Sequence, residues 1–390
     1  MLKRLRIIYQ VQLREVQRIS QRPIYAFCML VVPLFCMFFF LHLMSDGLPD
    51  SLPIAVVDQD NSVTSRSLTL NLGVQQQSSV KIRTYSFGEA RAAMQRGEVY
   101  GIFLIPKDFG RNVITGMRPQ VSYYYNASYL MAGSLTFKDM KMMSELVNGK
   151  VIVSFAEAHG VPIEVAMAQV QPVKVTSHLV GNQWLNYSIY LNNAILPGML
   201  QLMIFLVTVY SIGTEIKYRS SHEWLRTSRQ SISLGLFGKL SIHYAIFFAV
   251  GLLMLSVLYG YLHFPMQNGW LPVIVAMAFL ILAAQSMGIF FITILPTLRL
   301  GLSFATLMGM LSFSLAGFSF PLSAMPPAVQ ALAYLFPLRH YFLIYADQAL
   351  NGVPIHYSIP AYVALVAFAF LPMLLMRRLK RALIEFRYIP

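Results

Sequence analysis

Six stretches of the chain, residues 25–44, 195–213, 241–262, 271–295, 300–320 and 358–376, contain no aspartate, glutamate, lysine or arginine. Each is long enough to cross about 30 Å of hydrocarbon as a helix. A backbone in lipid must satisfy its own N–H and C=O groups, so runs of this kind fold as spanning helices. A single charge in the middle of one would cost roughly 2.5–3.5 kcal/mol on insertion. The whole chain of 390 residues is 56% hydrophobic and 12% charged. That is half the charge of an average soluble domain, which excludes an ordinary soluble enzyme and a disordered chain. The fold class expected is a polytopic α-helical membrane protein with six transmembrane helices.

The placement of charge sets the orientation. Lys3, Arg4, Arg6, Arg14, Arg18 and Arg22 precede the first span, and Lys217, Arg219, Arg226, Arg229 and Lys239 occupy the loop 214–240. Arg377, Arg378, Lys380, Arg381 and Arg387 fill the tail 377–390. The intervening loops are nearly bare: 263–270 has no charge, and 321–357 has only Arg339 and Asp347. Both termini are therefore expected in the cytoplasm. Segment 45–190, with 12 Lys/Arg against 11 Asp/Glu, lies outside. The net charge of +14 is thus a cytoplasmic membrane-surface signal, and nucleic acid is not an expected partner. The first span has a long basic lead-in and no small-x-small cleavage site after Met44, so it reads as an uncleaved anchor. Cys28 and Cys36 are eight residues apart on one helix, too far to bridge.

Four regions follow. Residues 1–23 read as an amphipathic membrane-surface helix with Leu2, Leu5, Tyr9, Val16 and Ile19 on one face and Gln12 as a defect in it. Residues 24–44 form the first span. Residues 45–190 read as an inserted mixed α/β extracytoplasmic domain of order βαβαββα, with strands at 53–58, 81–85, 100–105 and 120–125. Helices are expected from the 58–62 turn to Leu72, from Ser86 to a Gly97 cap, and over 128–159. Residues 191–390 supply the other five spans. Trp184, Tyr187, Tyr190 and Trp270 fit an outer aromatic belt.

No constellation supports catalysis. Asp58 and Asp60 begin a calcium-like loop, but Val63 and Thr69 stand where glycine and glutamate are required. Gly235 to Lys239 lacks the spacing of a phosphate-binding loop, and the eight histidines include no pair at i, i+4. Asn126 and Asn186 open short glycosylation-like triplets, a weak signal.

Two segments are more specific. Ser220-Ser221-His222-Glu223 reads as a capping box that starts a short helix to about Gln230. That helix would display Trp224 and Leu225, either as a knob for a partner's groove or as an anchor in the membrane surface. After the fifth span, Gly317, Pro321, Met325, Pro326 and Pro337 break an apolar stretch into two helices too short to span, one to about Leu335 and one over 338–350. They suggest a re-entrant hairpin over 321–352 dipping from outside; the alternative is an amphipathic loop on the outer surface.

These residues carry a resemblance over essentially the whole chain. The run Ile54-Ala-Val-Val-Asp58-Gln-Asp60 with Gly97 to Phe109, the loop from Gly213-Thr214-Glu215 to Lys239, and Gly317-Phe-Ser-Phe-Pro321 through Met325-Pro326 to Pro337 together resemble ABC-2 type exporter permeases. The large segment between spans one and two is similar to the multidrug-exporter-like subgroup. The resemblance implies a permease subunit in the bacterial cytoplasmic (inner) membrane that moves amphiphilic small molecules or drugs outward. It implies a second permease, identical or not, and a separate ATP-binding subunit that uses ATP and Mg, with no cofactor bound by this chain. A periplasmic adaptor and membrane lipid are further expected partners. It also implies a coupling role for Glu215, Arg219, Ser220, Glu223, Trp224 and Leu225, with Glu223 at the family's acidic position and Ser220-Ser221 in place of a Gly-Thr pair. Residues 1–20 would be the elbow helix, and spans two and five would line the passage. The rival reading is a membrane-anchored extracytoplasmic binding or structural protein. An ion-coupled carrier ranks lowest, because the uncharged stretches hold no carboxylate.

Overall fold

The computed structural model describes residues 2–115, 117, 119–160, 162, 164–165, 181–182 and 186–385. Trp184 and Arg387 lie outside the described residues. The chain divides into two compact units, residues 46–178 and residues 1–45 with 179–390.

The smaller unit is built on a buried apolar strand. Strand β1 (Leu52–Asp58) pairs in parallel with β2 (Ser78–Thr84) and with β3 (Gly101–Ile105), and β4 (Ser122–Tyr125) closes the sheet antiparallel to β3. The order is β2-β1-β3-β4. The pleat sends alternate residues to opposite faces. Ile54, Val56, Phe103 and Ile105 meet α3 (Val63–Leu72) and α6 (Leu130–His159) through Leu68, Leu72, Met140 and Met143. Ala55, Val57 and Ile102 meet Ala90 and Ala93 of α4 (Phe87–Gln95) on the other face. Both faces of β1 are covered, which is why its sequence is continuously apolar.

Local capping follows the sequence closely. Ser62 Oγ accepts from the Ser65 N–H at 3.1 Å and starts α3, and Gly97, at φ +75°, ends the turn after α4. The expected order lacked one element. A short helix, α5 (Phe109–Ile114), stands between β3 and β4, too short for its periodicity to register. Asp58 and Asp60 are occupied by the turn itself. Asp58 accepts from the N–H groups of Asp60 and Asn61 and from Ser65 Oγ, at 2.8–3.0 Å, and Asp60 Oδ2 accepts from the Gly110 N–H at 2.9 Å. Asn126 and Asn186 also serve as local acceptors, from Ser128 N–H at 3.1 Å and from Ser188 N–H at 2.8 Å.

Among its described residues the larger unit has six helices long and apolar enough to cross a membrane, by length and composition: α2 (Pro23–Leu43), α7 (Tyr187–Lys217), α9 (Ile232–Tyr261), α10 (Trp270–Ile294), α11 (Leu298–Leu315) and α14 (Ile359–Glu385). Four shorter or flanking helices complete it: α1 (Leu2–Gln21), α8 (Ser221–Thr227), α12 (Pro327–Ala333) and α13 (Pro337–Tyr345). Helix α2 widens to a π-turn over Phe27–Val31, one turn before Pro33, whose missing N–H and ring crowd the preceding carbonyl. Helix α7 is the core, packed by α2, α10, α11 and α13, and most of its apolar length is buried.

The helices run further than the uncharged stretches. Helix α7 continues past 213 and carries Glu215, and α9 begins at Ile232 and carries Lys239. Both charges are fully buried. The expectation of electrically silent helices therefore holds for the apolar middles and fails at one end of the bundle, because a helix does not stop where its apolar run stops.

Helix α1 packs on α9 through Val11 and Glu15, with Ile7 buried on the same stripe. Of the face expected to meet lipid, Leu5, Tyr9 and Val16 are exposed, together with Leu13, whereas Ile19 is half-buried against the core. Gln12, read as a defect, donates to Ser241 Oγ at 2.8 Å.

Candidate functional site

Helix α7 ends at Lys217, and Arg219, at φ +57°, turns the chain into α8. The capping box does not form. Ser220 makes no side-chain cap; its hydroxyl donates to the Glu215 carboxylate, and Glu223 lies 3.6 Å from Arg14 Nη2. Trp224 and Leu225 are not displayed: they are 1% and 2% exposed. Trp224 Nε1 donates to the Gly235 carbonyl at 3.3 Å, and Lys239 Nζ lies 5.2 Å from its ring centroid. Neither the partner knob nor the membrane anchor describes this tryptophan. The spacing of Ser221, Trp224, Leu225 and Ser228 marks the inner stripe of a two-turn helix, and all four are buried. What α8 presents outward is polar: His222, Glu223, Arg226 and, in the following turn, Arg229 and Gln230 are exposed.

The inner side of α8 is anchored at three points. Trp224 holds it to α9. Ser221 Oγ donates to the Leu383 carbonyl at 2.7 Å, and Lys380 Nζ donates to the Gln230 carbonyl at 3.1 Å, which ties it to the end of α14. Beneath lies an ion cluster that joins α1, α7 and α9. Glu215 accepts from Arg14 Nη1 at 2.7 Å, Lys239 Nζ at 3.0 Å, Arg18 and Ser220. Glu15 accepts from Lys239 Nζ at 2.5 Å and Ser211 Oγ at 3.1 Å, and His243 Nε2 lies 3.0 Å from it. Burial alone would raise the Glu15 carboxyl, but the Lys239 ammonium and the His243 contact hold it well below the ordinary carboxylate range.

The sequence reading placed Glu215, Arg219, Ser220, Glu223, Trp224 and Leu225 in one loop, and the structure does bring Glu215, Ser220 and Glu223 around Arg14. It missed Arg14, Glu15, Arg18, Lys239 and His243. A signal existed: Glu15 is the only acidic residue among the first 45 and falls on the stripe of Ile7 and Val11. Lys239 and His243 share one face of α9 at i, i+4.

At the other end of the bundle the broken stretch forms as two short helices. Pro321 leads a 3-10 turn, Met325 is buried with Leu315, Ala333 and Phe336, Pro326 precedes α12 and Pro337 opens α13. Gly317, at φ +95°, leaves room for Arg339: a Cβ there would lie 2.7 Å from Arg339 Nη1. Helix α13 is buried against α7, α10 and α14 and continues as a π-turn to Asn351.

Spans two and five, expected to line the passage of a permease pair, leave no gap between them within one chain. Helices α7 and α11 pack face to face, and Gln201 Nε2 donates to Ser312 Oγ at 2.9 Å between them. A Cβ at Gly198 or Gly309 would lie 2.4 Å from Phe313 or Leu202. The free face of α11 carries Ser303, Thr306, Leu307, Met310 and Ser314, a mixture of hydroxyls and apolar side chains.

A family model described as ABC-2 family transporter protein matches residues 23–377. The chain is also similar to the linearmycin resistance permease protein LnrN of Bacillus subtilis (strain 168), with 20% identity over 386 residues, covering 91% of this chain and 94% of that protein.

Proposed function

The chain belongs to the ABC-2 family of transporter proteins, and from that membership we propose that it is the permease subunit of an exporter driven by a separate ATP-binding subunit docked on the outward face of α8. The observation that carries the reading is the two-sided construction of α8. Its outer face is polar and open, while its inner face is bonded to α9 through Trp224 and to α14 through Ser221 and Leu383. A push on His222, Glu223 and Arg226 is thereby passed to two spanning helices at once. The ion cluster makes α1 move with them, because Glu215 and Glu15 bind α1, α7 and α9 together. Such a rigid lever suits a transition between two packed states, since cores are bistable and not continuously deformable.

Both termini and α8 then face the cytoplasm of a bacterial inner membrane, and residues 46–178 lie outside, as the basic loops favour. Helix α1 lies in the interface with Leu5, Tyr9, Leu13 and Val16 toward lipid. Segment 321–352 re-enters from outside; burial of α13 among three spans supports this over a surface loop. The passage forms between two permeases across the free faces of α11. The Ser, Thr, Leu and Met side chains there suit an amphiphilic substrate, and the name of the B. subtilis relative, a resistance permease, points the same way.

The test uses charge reversal on the open face. Glu223→Lys with Arg226→Glu should weaken association of the co-expressed ATP-binding subunit about tenfold and cut transport to match. The melting temperature should stay unchanged, because Glu223 has a side chain 71% exposed. Undiminished association and transport would remove α8 as the docking element. Trp224 is not a test of docking, since its truncation would first unpack the helix.

A further inference from the structure

Beside the docking face, the start of α1 and the turn after α8 flank an open surface cavity of about 350 Å³ lined by Lys3, Arg6, Ile7, Gln10 and Arg229. Three of these residues are cations and none is a carboxylate. Among the described residues Lys3, Arg6 and Arg229 have no carboxylate partner, whereas Arg14 and Arg18 on the same helix both pair with Glu215. Like charges converging on one hollow repel one another, and an anion between them turns that repulsion into attraction.

The backbone that carries Arg229 is also fixed. Arg229 and Gln230 are consecutive non-glycine residues in the left-handed region, at φ +50° and +61°. The turn that holds them is closed by the Gln230 N–H on the Leu225 carbonyl at 2.7 Å and by Lys380 on the Gln230 carbonyl at 3.1 Å. Arg229 is therefore presented from a braced turn, across from a helix that contributes the other two charges.

The position of the cavity on α1 indicates the source of the anion. Ile7, Val11 and Glu15 form the edge buried against protein, and Leu5, Tyr9, Leu13 and Val16 the opposite, exposed apolar face. At 100° per residue, Lys3, Arg6 and Gln10 fall together on one flank between those two faces. With the apolar face in the acyl boundary, that flank is level with the lipid phosphates. We propose that this cavity is a binding site for the phosphate of an anionic phospholipid headgroup, gripped by the guanidinium forks of Arg6 and Arg229 with the Lys3 ammonium and the Gln10 amide alongside. The proposal rests on the reading of α1 as an interfacial helix. The same chemistry would accept free phosphate, so the experiment separates the two sources.

The full-length chain, delipidated in neutral detergent at physiological salt, would be titrated with short-chain phosphatidylglycerol, short-chain phosphatidylcholine and inorganic phosphate, with bound ligand counted by native mass spectrometry. Phosphatidylglycerol is expected to bind at least tenfold more tightly than either of the others. Lys3→Gln, Arg6→Gln and Arg229→Gln together should weaken it on the order of a hundredfold, at roughly fivefold per cation. Arg377→Gln, Arg378→Gln and Arg381→Gln, an equal loss of charge on the tail of α14, should leave it unchanged. If the triple variant fails to fold, Lys3→Gln alone, on an exposed residue of the first turn, should still give the fivefold loss. Equal affinity for inorganic phosphate would overturn the lipid assignment, as would an unchanged triple variant or an equal loss in the tail control. A triple variant that keeps its lipid in the titration and, in a separate co-purification, loses the ATP-binding subunit would overturn the proposal and make the cavity a protein-docking site. The titration contains no ATP-binding subunit, so its result stands apart from the charge-reversal test of α8.

Discussion

Lys239→Met should lower the unfolding free energy of the chain by about 3–5 kcal/mol, the cost of stranding a buried charge. Lys239 is the counter-ion of two buried carboxylates, but they depend on it unequally. Without it Glu215 keeps Arg14, Arg18 and Ser220, whereas Glu15 keeps only Ser211 and His243. The stranded charge is therefore Glu15. The double variant Glu15→Gln, Lys239→Met should recover more than half of the loss, because a neutral amide can still meet Ser211 and His243 and no buried charge is left uncompensated. Equilibrium denaturation in mixed micelles reads both variants, and a double variant no more stable than the single one would show that Lys239 acts by packing against Trp224. The acid limb gives a second check. A carboxyl depressed in the folded state contributes stability that is fully present above its unfolded value, about 4.3, and is lost as pH falls toward the folded one. The native chain should thus weaken below about pH 4, and the Glu15→Gln chain should lose less over that range.

How much of this was legible depended on which physical signal a residue carried. The spans were legible because exclusion of charge from hydrocarbon acts on every residue of a long window. The strands and caps of the α/β unit were legible because Ser62, Ser86 and Gly97 act on their own neighbours in the chain. The two-helix break at Pro327 and Pro337 was legible for the same reason. The cluster was not, because its bonds join residues about 200 positions apart: Arg14 and Glu215, Glu15 and Lys239. A run of arginines before a span has a sufficient explanation in membrane topology, and that explanation hid the pairing of Arg14 and Arg18 with the buried Glu215.

Trp224 was misplaced for a different reason. An aromatic residue in a short loop helix suits a partner, a membrane surface and a core equally well by composition. Only the buried partners of the helix decide among them, and these are Gly235, Lys239 and Leu383. The close approach of α7 and α11 was illegible for a similar reason: Gly198 and Gly309 matter only through Phe313 and Leu202 on the facing helix, about 110 positions away.

Gly238→Val is the complementary experiment, since it changes the approach of α1 to α9 and leaves every charge in place. A Cβ at Gly238 would lie 2.9 Å from Val11 Cβ, 3.0 Å from Val11 Cγ1 and 3.1 Å from the Ile8 carbonyl oxygen. The first is the root of a β-branched side chain and the last is backbone, so neither can swing away, and α1 must lift. Alanine should cost about 1–3 kcal/mol and valine more. Lys239 is the next residue, and lifting α1 would draw Glu15 away from its ammonium, a contact of 2.5 Å with little tolerance for displacement. The outward face of α8 is untouched, so the ATP-binding subunit should still bind while ATP hydrolysis no longer drives export. Gly235→Ala is the control: its Cβ would meet Trp224 Nε1 and the Ser228 side chain at 3.2 Å, contacts that a small shift relieves. If Gly238→Val retains native melting and full coupling, then α1 is a passive flank, and the force reaches the spans through α9 and α14 alone.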